Sequence, residues 1–180
     1  FKPALDLLQE ENKDYYILEL SSFQLETTES LNAEVAVLLN LSEDHMDRYE
    51  SLDDYHRAKQ RIFRGCKQIV INRDDRYSYP FETLDVPKWD FGFSRPDVNG
   101  FGLLEDGGEQ YLAYQFDKII SVSELKVFGQ HNISNVLAAI ALARAVGIDL
   151  RPIKKAIAEF TGLPHRCQWV ANVSGVEFYN

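Results

Sequence analysis

The stretch Tyr15-Tyr16-Ile17-Leu18-Glu19-Leu20-Ser21-Ser22-Phe23-Gln24-Leu25-Glu26, followed by Val35-Ala36-Val37-Leu38-Leu39-Asn40-Leu41-Ser42-Glu43-Asp44-His45-Met46-Asp47-Arg48-Tyr49, decides how the chain is read. Two apolar runs each give way to polar groups. Runs of this kind, Tyr15 to Leu20 and Leu31 to Leu41, suit parallel strands buried on both faces. In open α/β sheets, ligands bind just beyond the carboxyl ends of such strands. The first run delivers Glu19, Ser21 and Ser22 there; the second delivers Asn40, Glu43, Asp44, His45 and Asp47. Oxygen and imidazole donors gathered this way suit a hard divalent cation beside phosphate.

Working outward, Ala4 to Glu11 reads as a short helix and Ser21 to Ser30 as a crossover. Ser51 to Phe63 reads as a helix capped by Ser51, with Asp53 and Asp54 in its first turn, cations at Arg57, Lys59 and Arg61, and Gly65 as its stop. Gln68 to Asn72 and Lys88 to Phe93 are further strands, with a turn from Asp74 to Pro80. Asn99 to Val127 reads as a hairpin around Asp106-Gly107-Gly108-Glu109. His131 to Val146 is a helix with Val136, Leu137, Ala139, Ile140, Ala143 and Val146 on an apolar stripe, closed by Gly147. Pro152 to Phe160 is another helix, and Gln168 to Asn180 a hairpin around Ser174-Gly175. The expected fold class is α/β: a mostly parallel sheet flanked by helices, with an added antiparallel β-hairpin region.

A chain of 180 residues can bury one good core. Its net charge of −9 argues against nonspecific nucleic-acid binding, because phosphate contacts need Lys and Arg. Cys66 and Cys167 are too few for a disulfide scaffold and read as reduced thiols. No apolar stretch is long enough to insert into a membrane and no signal peptide opens the chain, so the cytoplasm is the default expectation.

The blocks Glu19 to Glu26, Asn40 to Arg48, Tyr55-His56-Arg57-Ala58-Lys59-Gln60-Arg61-Ile62-Phe63, Gly129-Gln130-His131-Asn132-Ile133-Ser134-Asn135 and Phe160-Thr161-Gly162-Leu163-Pro164-His165-Arg166 occur in that order. Together they resemble the Mur ligase family, the ATP-dependent amide-bond-forming enzymes of peptidoglycan synthesis. The resemblance implies a central domain related to P-loop nucleotide triphosphatases, with ATP and two Mg²⁺ ions as cofactors. It gives Glu19 to one metal, and His45 with Lys59, N6-carboxylated to a carbamate, to the other. It places Asn132, Asn135 and His165 near ATP, Arg166 on the γ-phosphate, and Ser21, Gln24 and His45 on the substrate. The implied partners are UDP-N-acetylmuramoyl-L-alanine and D-glutamate, joined through an acyl phosphate by a full-length enzyme that acts as a monomer. Another Mur ligase or a folylpolyglutamate synthase-like ligase is the enzyme alternative.

Each residue also has a plainer reading. Glu19 and Lys59 can be solvated charges, His45 a loop histidine, and Asn132 and Asn135 helix-capping amides. Ser21 and Gln24 can be a polar turn, and His165 and Arg166 an exposed basic pair. A lysine beside two metal ions must lose its charge, which a carbamate achieves.

No Gly-rich loop ending in Gly-Lys-Thr or Gly-Lys-Ser occurs in the sequence; Gly100-Phe101-Gly102 and Gly107-Gly108 lack the lysine. The expectation is a piece of a longer enzyme. Residues 1–147 would be the central domain without its first strand and phosphate loop, 148–166 a helix and interdomain linker, and 167–180 the first hairpin of a further domain. By itself such a piece would be a catalytically inactive scaffold or weak nucleotide-binding domain.

Overall fold

Six strands form one sheet in the order β1-β2-β3-β4-β5-β6, with Ala36–Leu38, Ile69–Asn72, Lys88–Phe91, Gly100–Asp106, Glu109–Tyr114 and Asp117–Ser121 as the strands. β1 to β4 pair in parallel and β4 to β6 antiparallel, a mixed sheet flanked by helices. The helices are α1 (Ser22–Glu26), α2 (Leu52–Gln60), α3 (Gln130–Ala145) and α4 (Leu150–Glu159), and β7 (Trp169–Val173) with β8 (Val176–Tyr179) makes a separate antiparallel hairpin. The structure is a computed structural model and describes residues 4–9, 13–163 and 169–179. Among them, no helix is long and apolar enough to cross a membrane.

All four residues of β2 are buried, as a parallel strand covered on both faces requires. Its Val70 joins Phe91, Phe101 and Leu112 of the neighbouring strands in the main core, closed by Leu137, Ile140 and Ala141 of α3 and by Ile153 of α4. The buried face of α3 is Val136, Leu137, Ala138, Ile140, Ala141 and Ala145, whereas Ala139 is exposed. Val136, Leu137 and Ile140 of the expected stripe are on this face and Ala143 packs against the core; Ala139 falls outside it, because an alanine-rich helix offers too little size contrast to fix the edges of its inward face.

Two further expectations are corrected. Tyr15 to Leu20 is not a buried strand: it is outside the sheet, and Ile17 is 93% exposed. A strand is a paired state, and among the described residues β1 pairs only with β2. The apolar run has strand propensity but no ladder to join; the Tyr15 hydroxyl instead donates to the Val146 carbonyl at 3.0 Å. The short helix expected from Ala4 is present as a 3-10 helix, Ala4–Gln9. The segment after the Gly107-Gly108 turn contains two strands, β5 and β6, so the hairpin is a three-stranded meander. Glu109 fixes its second crossing: its carboxylate accepts from the Ser121 and Ser123 hydroxyls at 2.5 and 2.8 Å and from Tyr111 at 2.7 Å. These hydroxyls, Ser121 foremost, hold its carboxyl down to about 2.

Loops at the carboxyl ends of β1 and β2 are tied to one another. The Asn72 amide donates to the Leu39 carbonyl at 2.8 Å, and the Leu41 N–H donates to the Asp75 carboxylate at 2.8 Å. These bonds orient the loop that carries Asp44 and His45.

Candidate active site

Three segments meet beyond the end of β1: the Glu19–Glu26 stretch, the Leu41–Tyr49 loop and helix α2. α2 starts where sequence places it, with the Ser51 hydroxyl accepting from the Asp54 N–H at 3.2 Å. Its buried residues, Tyr55, His56 and Ala58, face inward, and Tyr55 and Ala58 pack with Leu41 and Tyr49 into a small core. Lys59 is on the border of this core. Its Nζ is 5.2 Å from the centre of the Tyr55 ring, within cation–π range.

Burial lowers the pKa of Lys59, and the negative charges of Asp44 and then Glu19 oppose that fall. Asp44 and Glu19 are thus each within electrostatic reach of Lys59 although the three come from different segments. Tyr55 carries the same signature: burial first, then Asp44, raises its phenol pKa. His45 also contacts Tyr55, its ring 6.1 Å from the Tyr55 ring in an edge-to-face arrangement. The Tyr55 ring thus has the Lys59 amine and the His45 ring at 5.2 and 6.1 Å, and the charge of Asp44 acts on both Tyr55 and Lys59. His56 is engaged elsewhere, with Nε2 2.8 Å from the Tyr77 carbonyl.

His45 has a left-handed backbone, φ 56°. Histidine tolerates this region better than most residues, but it still costs about 1–3 kcal/mol and persists only where the surroundings hold it. Asp44 accepts from the His45 N–H at 2.8 Å, and the His45 carbonyl accepts from the N–H groups of Arg48 and Tyr49 at 3.0 and 3.2 Å.

Ser21 and Gln24 form a reciprocal capping box that starts α1: the Gln24 N–H donates to the Ser21 hydroxyl at 3.3 Å, and the Ser21 N–H to the Gln24 side chain at 2.9 Å. The neighbouring Ser22 hydroxyl is buried and has no hydrogen-bond partner among the described residues. Asn132 and Asn135 are in the first turns of α3. Asn132 does not act as the cap, which is Gly129; its amide donates back to the Phe128 carbonyl at 2.7 Å. Asn135 is exposed. Among the described residues, no hydrogen bond or ring contact links either asparagine to Glu19, His45 or Lys59. His165 and Arg166 lie outside the described residues, as does Cys167; Cys66 is buried and free.

The donor set can be tested for a metal. Among the described residues no three His, Cys, Asp or Glu side chains converge to hold an ion by themselves. That excludes a closed all-protein cage, but Mg²⁺ rarely uses one: it keeps several waters and takes one or two carboxylates together with substrate phosphates. Glu19 and Asp44 beside a partly desolvated amine fit that demand.

Sequence reasoning passed over Glu26, Arg48 and Tyr49. The Glu26 carboxylate accepts from Arg48 Nη2 at 2.5 Å and from the Tyr49 hydroxyl at 2.7 Å, bonds that lower its pKa, the Tyr49 bond most. Opposite charges 22 residues apart carry no local periodicity, so only the fold reveals the pair.

Comparison with known proteins supplies the family. The chain is 56% identical over 178 residues to a UDP-N-acetylmuramoylalanine–D-glutamate ligase of Pseudomonas savastanoi and 47% identical over 180 residues to one of Acinetobacter baylyi, in each case over 99% of this chain and 40% of the relative. It thus spans about 40% of the length of the curated relatives it matches. Similar folds occur in a UDP-N-acetylmuramate:L-alanyl-gamma-D-glutamyl-meso-diaminopimelate ligase from Neisseria meningitides (TM-score 0.57, 24% identity, 72% of this chain and 40% of that one). A pseudomurein peptide ligase type C from Methanothermus fervidus is also similar (TM-score 0.59, 21% identity, 78% of this chain and 37% of that one). The family model for the Mur ligase middle domain matches residues 2–143, so this chain belongs to the Mur ligase family through that domain.

Proposed function

We propose that this chain supplies the ATP-handling centre of a ligase that joins D-glutamate to UDP-N-acetylmuramoyl-L-alanine in peptidoglycan synthesis, in the cytoplasm and as a monomer. The family is one of ATP-dependent ligases, and relatives 54–56% identical across the chain carry this activity in their names. The observation that carries the reading is the meeting of Glu19, Asp44 and His45 around the half-buried Lys59.

In this reading the substrate carboxylate attacks the γ-phosphorus of ATP, the bond to ADP breaks, and an acyl phosphate results. The amine of D-glutamate then displaces phosphate and gives up a proton as the amide forms. Mg²⁺ would neutralise charge on the transferred phosphoryl group. Glu19 would hold one ion, His45 and Lys59 the other. Desolvation favours the uncharged Lys59 amine, the form that combines with CO₂ to give an anionic carbamate oxygen. Arg166 would take the γ-phosphate, His165, Asn132 and Asn135 the nucleotide, and Ser21 and Gln24 the sugar nucleotide. α4 packs on the core through Ile153, so the joint to a further domain begins after Glu159 and the β7–β8 hairpin starts that domain.

Phosphate release by the full-length protein tests the assignment. With ATP and UDP-N-acetylmuramoyl-L-alanine present, release is expected to require D-glutamate; release with another amino acid and none with D-glutamate would overturn it.

A further inference from the structure

Helix α1 is fastened at both of its neighbours. On one side Arg61, two residues beyond Lys59, donates from Nε to the Leu25 carbonyl at 2.7 Å and from Nη2 to the Thr28 carbonyl at 3.3 Å. On the other side Glu26 accepts from Arg48 and Tyr49, the two residues whose backbone N–H groups also bond to the His45 carbonyl. The Arg48 guanidinium lies 4.9 Å over the Phe23 ring, and the same ring is 4.9 Å from His45. His45, in its left-handed conformation, lies between Phe23 of α1 and Tyr55 of α2, and the two residues that bond its carbonyl are themselves tied to α1 through Glu26.

We propose that Glu26 is a positioning residue: through Arg48 and Tyr49 it fixes the backbone and ring of His45 relative to Lys59, making α1 the brace that sets the spacing of the site. The inference rests on the reading of His45 as part of the ATP-handling centre. Both Glu26 carboxylate oxygens are engaged in this clasp, one by each partner. An isolated surface ion pair would matter little. This one differs because its partners are the residues that bond the strained carbonyl, so loosening it frees the His45 backbone.

The test uses the full-length protein with ¹³C-labelled histidine and Glu26→Gln, with Glu34→Gln as the control because Glu34 pairs with Lys67 away from the clasp. Without ATP or metal, the His45 ring resonances, displaced by the Phe23 and Tyr55 rings, are expected to move toward those of a free histidine in Glu26→Gln and to stay in place in Glu34→Gln. In the phosphate-release assay, kcat of Glu26→Gln is expected to fall about 10-fold, as losses of residues supporting a ligand do, with KM for D-glutamate little changed. Tyr49→Phe, which removes one of the two bonds and keeps the ring, is expected to fall between. Ring resonances that coincide with wild type in Glu26→Gln, or in Tyr49→Phe should the first variant fail to fold, overturn the proposal, as does an unchanged kcat. Because the resonance measurement needs no turnover, it decides the clasp even if the ligase assignment fails, and the phosphate assay on wild type decides that assignment separately.

Discussion

Replacing Lys59 by alanine in the full-length protein is expected to cut D-glutamate-dependent phosphate release by at least about 100-fold, the scale on which one group stabilising transition-state charge is felt. Bicarbonate at high concentration should not restore it. Alanine cannot form a carbamate, and it leaves the charges of Asp44 and Glu19 without the amine they act on. Lys59→Arg should fail as well, since a guanidinium stays charged and repels the ions that the site would hold. Misfolding would not explain the loss. Lys59 is only half-buried on α2, and alanine is the strongest helix former, so the thermal midpoint should change little. Wild-type turnover in Lys59→Ala would remove the carbamate from the account.

Leu137→Ala is expected to have the largest effect on stability. Leu137 is 0% exposed, in the middle of α3, within the core formed with Val70, Phe91 and Phe101 of the sheet. Truncating a leucine at such a site costs about 2–5 kcal/mol, part transfer and part cavity. For a chain of this size that is roughly 10 °C in thermal midpoint. Ala139→Ser, two residues along on the exposed side, should stay within about 0.5 kcal/mol. Calorimetry on the two variants checks the phase of α3; equal losses would contradict the face described above.

Much of the fold was legible because it rests on local rules. The Ser51 cap, the Gly147 stop and the Gly107-Gly108 turn each act within a few residues, and each is where the sequence places it. What failed was non-local. Tyr15 to Leu20 reads as a strand from composition, but pairing is a property of two segments, and no described strand pairs with it. On α3 the large apolar residues were placed on the right face, but Ala139 was assigned to it and Ala138 and Ala141 were not, because these alanines are alike to any hydropathy pattern.

The candidate site divides the same way. Glu19, Asp44 and His45 could be flagged at strand ends, and the family resemblance singled out Lys59, which on helical periodicity alone is a solvated cation. Its partial burial against Tyr55 is a tertiary fact. Glu26, Arg48 and Tyr49 were present in the quoted motifs, yet their clasp joins two segments whose approach depends on the whole β1–α2 crossover.

Glu19 on one divalent ion, and His45 with Lys59 on a second, would act together on the bound nucleotide. Water-proton relaxation during titration of the full-length protein with Mn²⁺ and ATP tests it most directly. The account predicts tight binding of the Mn²⁺–ATP pair by wild type and binding weakened about 10-fold or more in Glu19→Gln and in Lys59→Ala. Superimposable titrations for wild type and both variants would contradict it.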